Sequence, residues 1–270
     1  MKSLLIHKFS SFQLQSRILI ALFGVPLLIS SAFLDPYAFL VFWTLIWVFI
    51  VLELASLIQL KEQKKYLFIL FAAVLYIVLI QFNHNYSLTW FFSFTWLLFP
   101  LSIWLIIKLS KGHFLLLYLA YLAYVTFPIF FLFRIFQKQG PYAILLILFT
   151  VWAMDTFSYF TGIAFGKHPI APRLSPKKTI EGTLGGIIGA SVLFVFLLHC
   201  FNLSHHGINP YLWALLLTVS AFTGDLLESY LKRQFNKKDS GKILLGHGGM
   251  LDRFDSFLFL VFAYAIVLIP

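Results

Sequence analysis

The chain is 270 residues long, 61% of them hydrophobic and only 11% charged, with a mean hydropathy of +0.91. Soluble chains average about 45–50% apolar and about 25% charged residues, so this composition excludes a cytosolic globular enzyme, a secreted disulfide scaffold, a disordered regulator and an ordinary nucleic-acid-binding module, but not an enzyme within a bilayer. The formal charge of +10, from 20 Lys and Arg against 10 Asp and Glu, has its first explanation in the Lys and Arg that gather in the cytoplasmic loops of membrane proteins rather than in affinity for nucleic acid.

A membrane helix needs about 17–25 mostly apolar residues. Nine such stretches are expected, at about 18–34, 37–59, 66–82, 87–107, 114–133, 142–164, 182–203, 210–232 and 253–269. The first follows a short basic segment, but similar stretches continue along the chain, so it reads as a first membrane helix rather than a cleaved signal. With the N-terminus inside, the inner segments hold 18 of the 20 Lys and Arg, and only Arg134 and Lys138 fall outside. This places the segments near 165–181 and 233–252 in the cytoplasm. The single cysteine, Cys200, permits no internal disulfide. The expected fold is an all-α polytopic bundle: residues 1–140 form hydrophobic scaffold helices with room for a lipid cleft, and residues 141–270 carry the catalytic helices and loops.

Polarity concentrates late, with seven of the ten acidic residues after residue 150. Asp155 lies inside the sixth stretch, where a carboxylate is expensive and marks a candidate site. The alternative is a buried Asp satisfied by Thr156, Ser158 or a neighbouring helix. Pro169, Pro172 and Pro176 interrupt helix formation, so the segment after it is read as an ordered loop presenting Ser175, Lys177, Lys178 and Thr179. Glu181 then opens a helix whose glycines, Gly182/Gly186 and Gly185/Gly189, have GxxxG spacing. Close helix packing is the favoured reading for them, with an anion site at the helix N-terminus as the functional one.

On the eighth helix Asp225, Glu228 and Lys232 fall along one face, with Ser229 and Arg233 on an adjoining face. Two carboxylates one turn apart at a membrane edge suit a hard cation such as Mg2+ or Ca2+. A surface Glu228–Lys232 pair is the alternative, and it leaves the deeper Asp225 unexplained. Gly246, His247, Gly248 and Gly249 form a tight turn before Asp252 and Asp255, which open the last helix. Dipole effects alone favour acids there, and His247 is either a ligand or base or simply a polar loop residue. No histidine spacing supports zinc. Five carboxylates (Asp155, Asp225, Glu228, Asp252, Asp255) beside Lys177, Lys178, Lys232, Arg233, Lys238 and Arg253 point to metal-assisted phosphate chemistry. In a bilayer the reactant is a lipid phosphate, joined by a nucleotide and Mg2+.

These residues resemble the phosphatidate cytidylyltransferase (CDP-diacylglycerol synthase) family. The pattern S-x-[apolar]-K-R-x4-K-D-x-[small], followed by H-G-G-x-x-D-R-x-D, runs from Ser229 to Asp255. D-T-x-x-Y-x-x-G at Asp155–Gly162 and S-P-K-K-T-x-E-G at Ser175–Gly182 also fit. The resemblance covers roughly residues 150–257. It departs at Leu245, where the family usually has Pro, and at Ser158, where Ala is common. It implies that CTP and phosphatidate give CDP-diacylglycerol and pyrophosphate.

On motif position, Asp225 and Asp252 are the principal metal ligands, supported by Asp155, Glu228 and Asp255, with one or two Mg2+ ions. Asp225, Asp252, Lys232 and Arg253 form the catalytic set. Ser175, Lys177, Lys178, Thr179, Ser229, Arg233, Lys238, His247, Gly248 and Gly249 bind substrate. His247 shapes the nucleotide loop without moving a proton. A CTP-dependent polyprenol or phytol kinase is the alternative enzyme, and a transporter the non-enzyme alternative, disfavoured by the lack of an inverted repeat. CTP, phosphatidate and membrane lipid are the expected partners; nucleic acid is not, and a homodimer is left open. The expected location is a bacterial cell inner membrane, with the active site on the cytoplasmic side.

Overall fold

A computed structural model of the chain describes residues 22–58, 62–83, 98–106, 114–204, 207–241 and 248–268. Among these residues nine helices form: α1 (Leu22–Ser31), α2 (Pro36–Leu57), α3 (Glu62–Asn83), α4 (98–106), α5 (Phe114–Gln139), α6 (Pro141–Phe165), α7 (Ile180–Cys200), α8 (Pro210–Gln234) and α9 (Leu251–Leu268). Each falls on one of the expected apolar stretches, though parts of the first and fourth stretches lie outside the described residues. Five segments are long and apolar enough to cross a bilayer by length and composition: Pro36–Leu57, Leu119–Gln139, Pro141–Phe165, Ile180–Cys200 and Pro210–Gln234. The chain is a polytopic helical membrane protein.

Helix starts follow local chemistry. Asp35 caps α2 by accepting from the Tyr37 and Ala38 amides, and Asn209 caps α8 by accepting from Tyr211 and Leu212. Each cap is followed by proline at the first helical position, where its missing N–H leaves no bond unmade. Between α5 and α6 the chain turns at Gly140, whose φ of 73° suits glycine, and Pro141 restarts the helix.

The interior is built on α5 and α9. Every residue from 124 to 136 is buried, as is every residue from 256 to 265. Aromatic rings join their neighbours to them: Trp43 of α2 stacks on Phe257 of α9 with centroids 5.1 Å apart, Phe39 of α2 on Phe136 of α5 at 4.0 Å, and Phe99 of α4 on Phe262 of α9 at 3.8 Å. By contrast α7 turns Leu184, Ile188, Val192 and Phe196 outward, one residue per turn. That stripe would be a liability in water but needs no cover in lipid tails.

The segment after α6, read from the sequence as a loop, is instead an antiparallel hairpin of β1 (Pro169–Ala171) and β2 (Ser175–Thr179), with Pro169 opposite Thr179 and Ala171 opposite Ser175. A two-stranded sheet has only edge strands, so the N–H groups that proline lacks can face away from the ladder. This hairpin is the departure from an all-α fold among the described residues.

The glycines of α7 serve packing, as their spacing suggested. A Cβ on Gly182 would stand 2.9 Å from the Ser158 carbonyl oxygen, and one on Gly186 would stand 2.9 Å from that of Met154. In the space so opened, Thr161 Oγ1 donates to the Gly182 carbonyl across the α6–α7 contact at 3.2 Å. Gly186→Ala is therefore expected to destabilise the detergent-solubilised protein by about 1–3 kcal/mol, the usual range for overpacking, read as a lowered thermal midpoint.

Candidate active site

Four elements bring charged groups together where α8 ends and α9 begins. The hairpin supplies Lys178. Successive strand residues point to opposite faces, so Lys178 turns toward α8 while Lys177 is exposed. Thr179 ends the strand and caps α7, its Oγ1 accepting from the Gly182 amide at 3.1 Å. Glu181 reaches back to the start of the hairpin, where its Oε2 accepts from the Lys167 and His168 amides and its Oε1 meets His168 Nδ1 at 2.5 Å. The approach of β2 to the membrane helices is thus held from both sides of the α7 N-terminus.

Lys178 Nζ forms an ion pair with Asp225 of α8. Burial pulls its ammonium below the usual lysine range, opposed by the charges of Asp255, Asp155 and Glu228. One turn further along α8, Glu228 is wholly buried and pairs with Lys232. The same ammonium donates to Asp252 Oδ1 of α9 at 2.7 Å. Asp252 Oδ2 accepts from the Gly249 amide at 2.7 Å and the Ser240 amide at 2.9 Å. Asp255 Oδ1 accepts from the Ser256 amide at 2.6 Å, and its charge acts on Asp155, Lys178 and Lys232. Asp155 on α6 has Lys178 and Arg253 as its nearby cations. Asp225 and Asp252 therefore belong to one cluster, linked through Lys178, Glu228 and Lys232.

Asp225, Glu228 and Asp252 are each engaged by an ammonium, while Asp155 is exposed on α6 and Asp255 holds the Ser256 amide. Among the described residues no three His, Cys, Asp or Glu side chains converge as a ready metal site. The cluster sets three carboxylates against two ammonium groups near the end of α8 and so keeps negative charge in excess.

Comparison with known proteins adds to this geometry. The family described as "Cytidylyltransferase family" matches residues 15–269. The chain belongs to the cytidylyltransferase family. It is 42% identical over 131 residues to the phosphatidate cytidylyltransferase of Thermotoga maritima, covering 46% of this chain and 48% of that one. It is 49% identical over 115 residues to that of Bacillus subtilis, 41% of each chain, and 41% identical over 133 residues to that of Staphylococcus haemolyticus, covering 49% and 51%. The chain spans about half the length of the curated relatives it matches.

The other expected site residues differ in exposure and contacts. Arg233 is exposed and holds local backbone, with its guanidinium donating to the Lys237 carbonyl at 3.1 Å and the Leu174 carbonyl at 3.4 Å. Lys238 and Arg253 are exposed, while Ser175 and Ser229 are half-buried. Gly248 adopts φ 81° at the turn into α9. His247 lies outside the described residues.

Two participants were missed from the sequence: Ser240, whose amide holds Asp252, and Glu53 of α2. Glu53 is buried, and its Oε2 accepts from the Leu251 amide at 3.0 Å and from Ser240 Oγ at 3.3 Å. A carboxylate inside an apolar stretch marked Asp155, and the same signal was present at Glu53.

Removing Lys232 leaves Glu228 buried without its cation. Lys232→Met is expected to destabilise the protein by about 3–5 kcal/mol, and adding Glu228→Gln should recover much of that loss. Thermal unfolding of the two single variants and the double variant in detergent measures this coupling.

Proposed function

We propose that this chain is a CTP:phosphatidate cytidylyltransferase. A phosphatidate oxygen forms a bond to the α-phosphorus of CTP, the bond from that phosphorus to the bridging oxygen breaks, and CDP-diacylglycerol and pyrophosphate leave. The observation that carries this reading is the cluster at the end of a membrane helix in which Lys178 pairs with Asp225 and Lys232 bridges Glu228 and Asp252. The names of the relatives support it.

A phosphate monoester has its second pKa near about 6, so the nucleophile is largely ionised at neutral pH and needs little from a base. The barrier is the approach of two anions, and preorganised charge lowers it. Lys178 and Lys232, with Lys177, Arg233, Lys238 and Arg253 around them, would bind the triphosphate and the lipid head group. Ser175, Thr179, Ser229 and the turn at His247, Gly248 and Gly249 would line the nucleotide site.

The donor set fits a divalent ion. It is made of hard carboxylate oxygens, and those oxygens already draw two ammonium charges out of water. Asp225 and Asp252, supported by Asp155, Glu228 and Asp255, would hold Mg2+, one ion or two, which when bound offsets charge on the phosphates.

The reading also takes all nine helices as membrane-embedded, with the N-terminus and the cluster on the cytoplasmic side of a bacterial inner membrane. Residues 1–140 serve as scaffold and lipid cleft, and residues 141–270 as the catalytic part. Purified protein given CTP, Mg2+ and phosphatidate should release pyrophosphate; release of CDP instead would mark a lipid kinase. Asp225→Asn and Asp252→Asn should each lower turnover by about 100-fold or more, at or beyond the upper end of what a metal's outer partners cost, while the proteins still insert. Near-normal turnover at saturating Mg2+ would refute the ligand assignment.

A further inference from the structure

We propose that Glu53, from the otherwise hydrophobic helix α2, is a positioning residue that holds Ser240 and the Leu251 amide at the start of α9 and so sets the direction of the Asp252 carboxylate. The inference rests on the reading of Asp252 as part of the reaction site.

Glu53 is 3% exposed, deep against the turn that leads into α9. Its Oε2 takes the Leu251 amide at 3.0 Å, one of the N–H groups that a helix cannot satisfy within itself. The same oxygen takes Ser240 Oγ at 3.3 Å. These two contacts straddle the pair of amides that hold Asp252, from Ser240 and Gly249. The order of contacts is therefore α2 carboxylate, loop backbone, Asp252, Lys232.

The glycines of the segment fit the same arrangement. A Cβ on Gly241 would stand 2.5 Å from Glu53 Oε1 and 2.7 Å from its Cδ, and one on Gly249 would stand 2.6 Å from Cδ. Real Cβ atoms do not approach so closely, so Gly241 is kept bare by the Glu53 carboxylate, and Gly249 by that carboxylate together with Ser240 Oγ. A second tie lies one turn on, where Lys237 Nζ donates to the Ser56 carbonyl at 3.0 Å. Helix α2 thus holds Ser240 and Leu251 with a charge, and Lys237 just before them with a carbonyl.

The test uses the full-length protein in detergent micelles with E53A and E53Q. E53Q keeps an acceptor oxygen for the Leu251 amide. E53A should lower kcat for pyrophosphate release by about 10–100-fold, the range seen when an outer partner of a site residue is lost. The KM for phosphatidate should stay within about twofold, because a mispositioned reacting group alters turnover rather than ground-state binding. E53Q should lose less than E53A.

Hydrogen–deuterium exchange reads the clamp without the reaction. In E53A the amides of Ser240, Gly249 and Leu251 should exchange faster than in the parent, while the buried centre of α9 keeps its protection. Parent-like exchange in E53A overturns the clamp whatever the activity. Faster exchange with parent-like kcat overturns the positioning role, and so does a fall in activity that only tracks the amount of folded protein. A parent protein that releases no pyrophosphate, yet shows the loosened segment in E53A, overturns the reaction reading and leaves the clamp standing.

Discussion

A carboxylate buried inside a membrane protein must be compensated where it stands, because burial removes the water that would solvate it. Glu228 meets this constraint in its strongest form, being wholly buried on α8. Lys232 answers it from one turn along the same helix and reaches across to Asp252. Once that ammonium is shared, α8 and α9 cannot slide past one another without stranding a charge. Lys178 does the same between the hairpin and α8 through Asp225. Two lysines thus fix the relative positions of the hairpin, α8 and α9.

The apolar framework makes this arrangement possible. α5 and α9 fill the interior, and stacked rings from α2 and α4 lock onto them. α6 and α7 approach closely because α7 carries glycines where they meet. That approach brings the α7 N-terminus, capped by Thr179, beside the end of α6 and delivers the hairpin to the charged cluster. Lipid tails give helices little hydrophobic reason to associate, so contact area and polar ties carry the assembly. Glu53 shows how such a tie recruits even the scaffold half of the chain: a helix with a single acidic group in its apolar core reaches the turn before α9.

Much of this was readable from residue order. Apolar run length located the helices, since nearly every span must satisfy its backbone internally and so must be helical. The periodicity of α8 put Asp225, Glu228 and Lys232 on one face, and they do share it. The hairpin was not legible, because three prolines in a short polar segment describe a loop as well as an edge strand. Nor was the division between Lys177 and Lys178 legible, since a strand separates neighbours that a loop would leave together. Thr179 read as a ligand for an anion and is a helix cap in the fold; both uses employ the same hydroxyl. Glu53 stood in plain view, yet nothing local links it to a turn almost two hundred residues later.

By itself the sequence determined that the chain lives in a bilayer, where its helices run, and that acidic and basic groups gather late in it, for these depend on composition and local periodicity. Tertiary structure alone decided that Lys178 meets Asp225, that Lys232 also reaches Asp252, and that α2 holds the turn before α9. Those outcomes depend on distances between residues remote in the chain, and only packing sets them.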